Sequence, residues 1–148
     1  MLLPNPDRDF LSGLTVLLVE DEPDVREAMA EFLRRRVGCL LLATNGREGL
    51  ALFTEQQPDL VITDILMPVM NGLTMASHIR ESDPILPIVA VTASRQVDYL
   101  MKAILMGIDA YVFKPIQAHL LETALLKCAR TLRLEGLEAL RLSAIKMA

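Results

Sequence analysis

The 148-residue chain has no tryptophan, two tyrosines and four phenylalanines, so its apolar residues, 52% of the total, are almost all aliphatic. Cysteine is scarce too: Cys39 and Cys128 alone cannot build a disulfide scaffold, and both sit in apolar runs where reduced core thiols are expected. There is no excess of basic residues. A net charge of −4 and an isoelectric point near 5.2 argue against a sequence-independent grip on nucleic acid, which needs clustered Lys and Arg. Runs of eighteen apolar residues are also missing, and the start, MLLPNPDRDF, has prolines and acids where a signal peptide needs a basic start and an apolar centre. These absences lead to the expectation of a soluble, cytoplasmic domain with no direct nucleic-acid or membrane contact. Its length suits one domain that buries roughly two-thirds of its unfolded surface. A mean hydropathy of +0.36 is high for such a domain and needs an explanation.

Five short apolar runs recur: Thr15–Val19, Cys39–Ala43, Leu60–Thr63, Ile88–Val91 and Tyr111–Phe113. They are continuous rather than alternating, as strands buried on both faces are. Helical spacing fills the gaps, most clearly in Val25, Ala28, Met29, Phe32, Leu33 and in Val97, Leu100, Met101, Ile104, Leu105, and each stripe is expected to face a sheet. Pro23 suits a first helical turn, Gly38 and Gly107 follow the first and fourth helices, and Asn71-Gly72 precedes the third. Strands alternating with helices imply an α/β fold, a doubly wound parallel sheet with right-handed crossovers. Chemistry in such a sheet lies beyond the carboxyl ends of the strands, at the switch in strand order.

Four of the five strand ends carry polar groups: Glu20, Asp21 and Glu22 after the first, Asp64 after the third, Thr92 after the fourth and Lys114 after the fifth. Singly, each reads as a solvated loop or capping residue. Together they converge at the switch point of one common doubly wound order. Converged carboxylates repel, and a divalent cation resolves the repulsion; Mg²⁺ takes a few hard oxygen ligands and leaves positions for phosphate oxygens. Glu20 and Asp21 would hold the metal, and Asp64 would be both ligand and nucleophile toward a phosphoryl group. Lys114 supplies a cation for the developing charge and Thr92 a hydroxyl for one phosphoryl oxygen. A sharp turn that aims Lys114 inward could use a cis bond to Pro115.

The segments VLLVEDEPDVRE at 16–27, DILMPVMNG at 64–72, VTAS at 91–94 and GIDAYVFKP at 107–115 together resemble the receiver (response-regulator) domain of two-component signalling. The resemblance covers about residues 14–134. It implies a flavodoxin-like (βα)₅ fold with strand order 2-1-3-4-5, and phosphoryl transfer to Asp64 from a phosphohistidine on a histidine kinase or histidine phosphotransfer protein. It also implies Mg²⁺ on Glu20, Asp21, Asp64 and the Leu66 backbone carbonyl, with Thr92 and Lys114 on the phosphoryl group and a cis Lys114–Pro115 bond. Tyr111 matches a switch position: Thr92 moves inward, Tyr111 turns into the vacated space, and the face of the fourth helix, fifth strand and fifth helix changes shape. Such a domain is a regulatory phosphoacceptor, not an enzyme on outside substrates; it catalyses only its own phosphotransfer and dephosphorylation.

Two other classes fit less well. A phosphatase with an aspartyl nucleophile would carry a second Asp two residues on, where this chain has Leu66. A flavin carrier would need a Ser/Thr/Gly-rich loop after the first strand, where Glu20-Asp21-Glu22 would repel phosphate. His78 and His119 lie away from the strand ends and read as surface residues. The eight methionines read as gap-filling core, and Arg34–Arg36 and Lys127–Arg133 as solvated helix faces. Gly49 stands in the second helix where a better helix former would do, and strand two is very aliphatic for its place.

Residues 1–13 read as a loose leader and 135–148 as a helical extension or connector. The helical pattern starts near Gln117, is interrupted at Gly136, and restarts in a shifted phase with Leu137, Leu140, Ala144 and Met147. With Ile145, Leu2 and Leu3, these residues would be costly exposed and suit a homodimer seam or a downstream domain. The favoured context is a receiver from a multidomain regulator or hybrid kinase, with a stand-alone regulator as the alternative.

Overall fold

The structure, a computed structural model, describes residues 3–147. Strands β1 (Thr15–Val19), β2 (Cys39–Ala43), β3 (Leu60–Asp64), β4 (Ile88–Thr92) and β5 (Ala110–Phe113) form one parallel sheet in the order β2-β1-β3-β4-β5. Each lies within one residue of the expected run. The aliphatic runs are continuous because both faces are covered. Val16, Leu18, Leu60, Ile62, Val89 and Val91 point to one core, and Leu17, Val19, Val61 and Ile88 to the other. β3 and β4, in the middle, are buried at every residue.

Helices α2 (Pro23–Arg34) and α6 (Ala118–Met147) cover the first face; α3 (Gly46–Gln56), α4 (Gly72–Ser82) and α5 (Val97–Leu105) lie on the other. Gly49 has a packing reason. A Cβ there would stand 2.7 Å from Met75 Sδ and 2.8 Å from Val19 Cγ2, so its small size lets α3 close on α4 and the sheet. Gly72 is tighter still, since a Cβ would run into the Asp64 carbonyl. Its N–H donates to Ile65 O at 2.8 Å, which folds the β3–α4 loop back over the end of β3.

Five expectations change. The leader is not loose from Pro6 on: Pro6–Leu11 form a helix, α1, capped by Asn5 Oδ1 and docked on α6. Asp7 accepts from Arg133 at 3.0 Å, and Glu122 accepts from Arg8 at 2.8 Å and Arg36 at 3.2 Å, so Arg36 and Arg133 are ion-paired rather than only solvated. Cys39 is exposed because it opens an edge strand, whereas Cys128 is buried and burial pushes its thiol up to about 12. In α5 the stripe Val97, Met101, Ile104, Leu105 faces outward, and the helix packs on the sheet through Ala103 and Tyr99. Finally, α6 runs through Gly136 without a break for 30 residues, about 45 Å at 1.5 Å per residue. Leu2 lies outside the described residues. No helix among the described residues is long and apolar enough to cross a membrane.

Candidate functional site

Parallel register brings the carboxyl ends of the strands to one edge: Val19 pairs with Thr63, Asp64 with Val91 and Thr92 with Phe113. The next residues therefore meet around the switch between β1 and β3, and Glu20, Asp64 and Thr92 are all buried there. Glu20, Asp21 and Asp64 each offer a carboxylate oxygen within 4.8 Å of the others. Lys114 reaches across from β5, donating to Asp64 Oδ2 at 2.9 Å and Glu20 Oε1 at 3.0 Å, with Glu22 Oε1 at 3.9 Å.

Backbone groups fix the rest. Asp64 Oδ1 accepts from Ile65 N at 2.7 Å, and Glu20 Oε1 accepts from Glu22 N at 3.3 Å. Thr92 Oγ1 accepts from Ser94 N at 3.1 Å, and Thr92 O accepts from Lys114 N at 2.9 Å. The Lys114–Pro115 peptide is cis. Burial holds the Glu20 carboxyl above its ordinary range despite the Lys114 hydrogen bond. Burial alone would lower the Lys114 ammonium, but its hydrogen bonds to Asp64 and Glu20 and their charges outweigh that and hold it above its ordinary value.

One lysine does not satisfy the cluster. Glu20 Oε2 and Asp21 Oδ1 are buried with no hydrogen-bond partner, and unpaired buried carboxylate oxygens are costly. A hard divalent cation with oxygen ligands fits this donor set. Leu66 follows Asp64 by two residues and is 46% exposed, so nothing bulky and polar stands there. Val69, in the same loop, is held at φ 71°, an unfavourable backbone for a β-branched residue.

Tyr111 packs with Ile65, Ala90 and Ala103, its ring 5.2 Å from that of Phe113. Its hydroxyl is buried without a partner; burial, then the Asp64 charge, hold the phenol above its ordinary value. His78 and His119 are exposed and apart from the cluster. Sequence reasoning passed over two arginines. Arg95 lies 4.2 Å over the Phe113 ring, and Arg26 Nη1 donates to Glu20 O at 2.8 Å and Asp21 O at 3.4 Å. Arg26 could have been noticed, because a cation in the first turns of a helix opposes the helix dipole.

Fold and site define a flavodoxin-like α/β domain with an acid-rich, lysine-bridged pocket at its strand-order switch. The sequence profile of the response regulator receiver domain matches residues 16–126. A probable C4-dicarboxylate response regulator, DctR, of Priestia megaterium is 36% identical over 113 residues, 75% of this chain and 50% of that protein. The chemotaxis protein CheY of Halobacterium salinarum is 36% identical over 102 residues, 69% of this chain and 85% of that one. Among solved structures, a response regulator receiver domain protein from Clostridium thermocellum superposes with a TM-score of 0.77 at 27% identity, covering 82% of this chain and 98% of that one. The chain belongs to the response regulator receiver domain family, and it spans about half the length of DctR and of the AfsQ1 regulator of Streptomyces coelicolor.

Proposed function

We propose that Asp64 is the phosphoacceptor. A carboxylate oxygen of Asp64 attacks the phosphorus of a phosphohistidine on a histidine kinase or phosphotransfer protein. The P–N bond breaks, its electron pair stays on the imidazole, and an aspartyl phosphate forms. Lys114, already bonded to Asp64, stays beside the transferred charge, and the Thr92 hydroxyl bonds one phosphoryl oxygen. Glu20, Asp21, Asp64 and the Leu66 carbonyl would hold Mg²⁺, which supplies positive charge to the phosphoryl oxygens. The observation that carries this reading is the pair of partnerless buried oxygens, Glu20 Oε2 and Asp21 Oδ1, next to a lysine-bonded Asp64. With Leu66 two residues beyond Asp64 there is no acid to serve outside substrates, which supports a regulatory acceptor that dephosphorylates itself.

Tyr111, with a buried and unpartnered hydroxyl, is the switch residue that reads the position of Thr92. The wider role we assign is that of a cytoplasmic receiver within a multidomain regulator or hybrid kinase; the greater length of the DctR relatives supports it. Residues 14–134 form the receiver unit, and 135–148 connect it to a second copy or a following domain.

Intact mass after incubation with a small phosphodonor tests the acceptor. Wild-type protein should gain one phosphoryl group with Mg²⁺ and none with chelator, and Asp64→Asn should gain none. Labelling that survives Asp64→Asn sinks the assignment.

A further inference from the structure

We infer that Arg26 is a positioning residue for the acidic pair, a clamp that sets the direction of Glu20 and Asp21 without touching the reacting groups. The inference rests on the receiver chemistry proposed above. α2 begins at Pro23 with Glu22 at its N-cap, yet Glu22 makes no side-chain capping bond. The residues that cap the first free N–H groups are Ser, Thr, Asp and Asn, and Glu is not among them. Here Glu22 leaves them free and lies 3.9 Å from Lys114 instead. The turn between β1 and α2 therefore lacks the usual device that fixes it.

Arg26 supplies another. Its guanidinium reaches back across the first turn to the carbonyl oxygens of Glu20 and Asp21, at 2.8 and 3.4 Å, while Arg26 N donates to Glu22 O at 2.9 Å. Arg26 is thus bonded to three successive residues whose side chains line the pocket. A cation near a helix N-terminus opposes the helix dipole, so an Arg in this place needs a compensating contact, and the two carbonyls are that contact. With its backbone pinned from behind, the pair Glu20 and Asp21 presents Oε2 and Oδ1 into the pocket although nothing in the protein bonds to either oxygen. Glu20 Oε1 is also held by Lys114 and Glu22 N; without the clamp it is Asp21, whose Oδ1 has no partner, that gains by rotating toward water or the helix N-terminus. Arg26 therefore holds in place a repulsive arrangement that favours a cation. Both bonds come from the single nitrogen Nη1, so a lysine ammonium, carried on a differently shaped stem, replaces them only in part.

The test is Mg²⁺ titration by calorimetry on the full chain as wild type, Arg26→Ala, Arg26→Lys and Arg34→Ala. Arg34 is an exposed arginine on the same helix, 3.5 Å from Glu27, and it controls for lost charge alone. Removal of an outer contact of this kind costs about tenfold in metal affinity. Arg26→Ala should weaken Mg²⁺ by that factor, Arg26→Lys by less, and Arg34→Ala not at all. Phosphoryl labelling of Asp64 in Arg26→Ala should be slow at low Mg²⁺ and return to the wild-type rate at saturation. If Arg26→Ala does not fold, the weakening in Arg26→Lys decides the question. Unchanged affinity in the folded variants, or slow labelling that saturating Mg²⁺ does not restore, overturns the clamp and leaves the receiver chemistry standing. A wild-type chain that accepts no phosphoryl group overturns the chemistry itself.

Discussion

At the scale of single residues, Lys114 has the most demanding position. Its side chain is 13% exposed, and its ammonium bonds two carboxylates that are themselves almost wholly buried. Removing one partner of such a group leaves buried charge with nothing to offset it, which costs about 3 kcal/mol or more. Lys114→Ala should therefore unfold at a lower temperature than wild type in chelator. Because the remaining carboxylates then depend on a metal for all their positive charge, Mg²⁺ should raise the midpoint of the variant more than that of wild type. Thermal unfolding with and without Mg²⁺ checks this, and equal shifts for the two proteins would contradict it. The residues of this pocket were legible in the sequence because each ends a strand, and a parallel sheet sends all strand ends to one edge. For Arg26 the only signal was a cation in the first turns of a helix, because a side chain that binds carbonyls leaves no complementary residue type to look for.

Elements were legible to different degrees, for physical reasons. β1, β3 and β4 are buried on both faces, so their aliphatic runs are continuous and their limits easy to place. In α5, periodicity showed an apolar stripe but not its direction: small Ala103 meets the sheet and Val97, Met101, Ile104 and Leu105 face out. Helix α1 was hidden because its six residues make up fewer than two turns, and docking on α6 rather than propensity gives it order. That docking carries a pH signature. The hydrogen bond from Arg8, then that from Arg36, hold the Glu122 carboxyl below its ordinary 4.5. The pairing therefore stabilises the fold fully above that value and is lost as pH falls through the lower, folded-state value. Glu122→Gln should cost about 1 kcal/mol near neutral pH, as befits a pair only partly shielded from solvent. The gap from wild type should close in acid. Urea unfolding of both proteins at neutral and acid pH measures this; a gap that stays constant would mean that Glu122 acts through packing alone.

For the molecule as a whole, the high mean hydropathy is only partly accounted for by strands buried on both faces. The rest lies in exposed side chains at two places. One is the outer face of α5. The other is the last half of α6, where Leu137, Leu140 and Met147 are 53%, 69% and 88% exposed, with Leu134, Leu142 and Ile145 beside them. Leu137, Leu140, Ala144 and Met147 follow the 3-4-3 spacing of a two-helix seam. Past Leu132 the helix has left the sheet, so its own domain cannot cover that stripe. An exposed apolar stripe of this kind is what a partner surface looks like, and a second copy satisfies it with the same residues twice. The chain should therefore sediment as a concentration-dependent dimer, and Leu137→Glu with Leu140→Glu should return it to monomer while leaving phosphoryl labelling of Asp64 intact. Association that survives both substitutions would move the interface to α5. A wild-type chain that stays monomeric at the highest concentration reached would instead assign the stripe to a following domain.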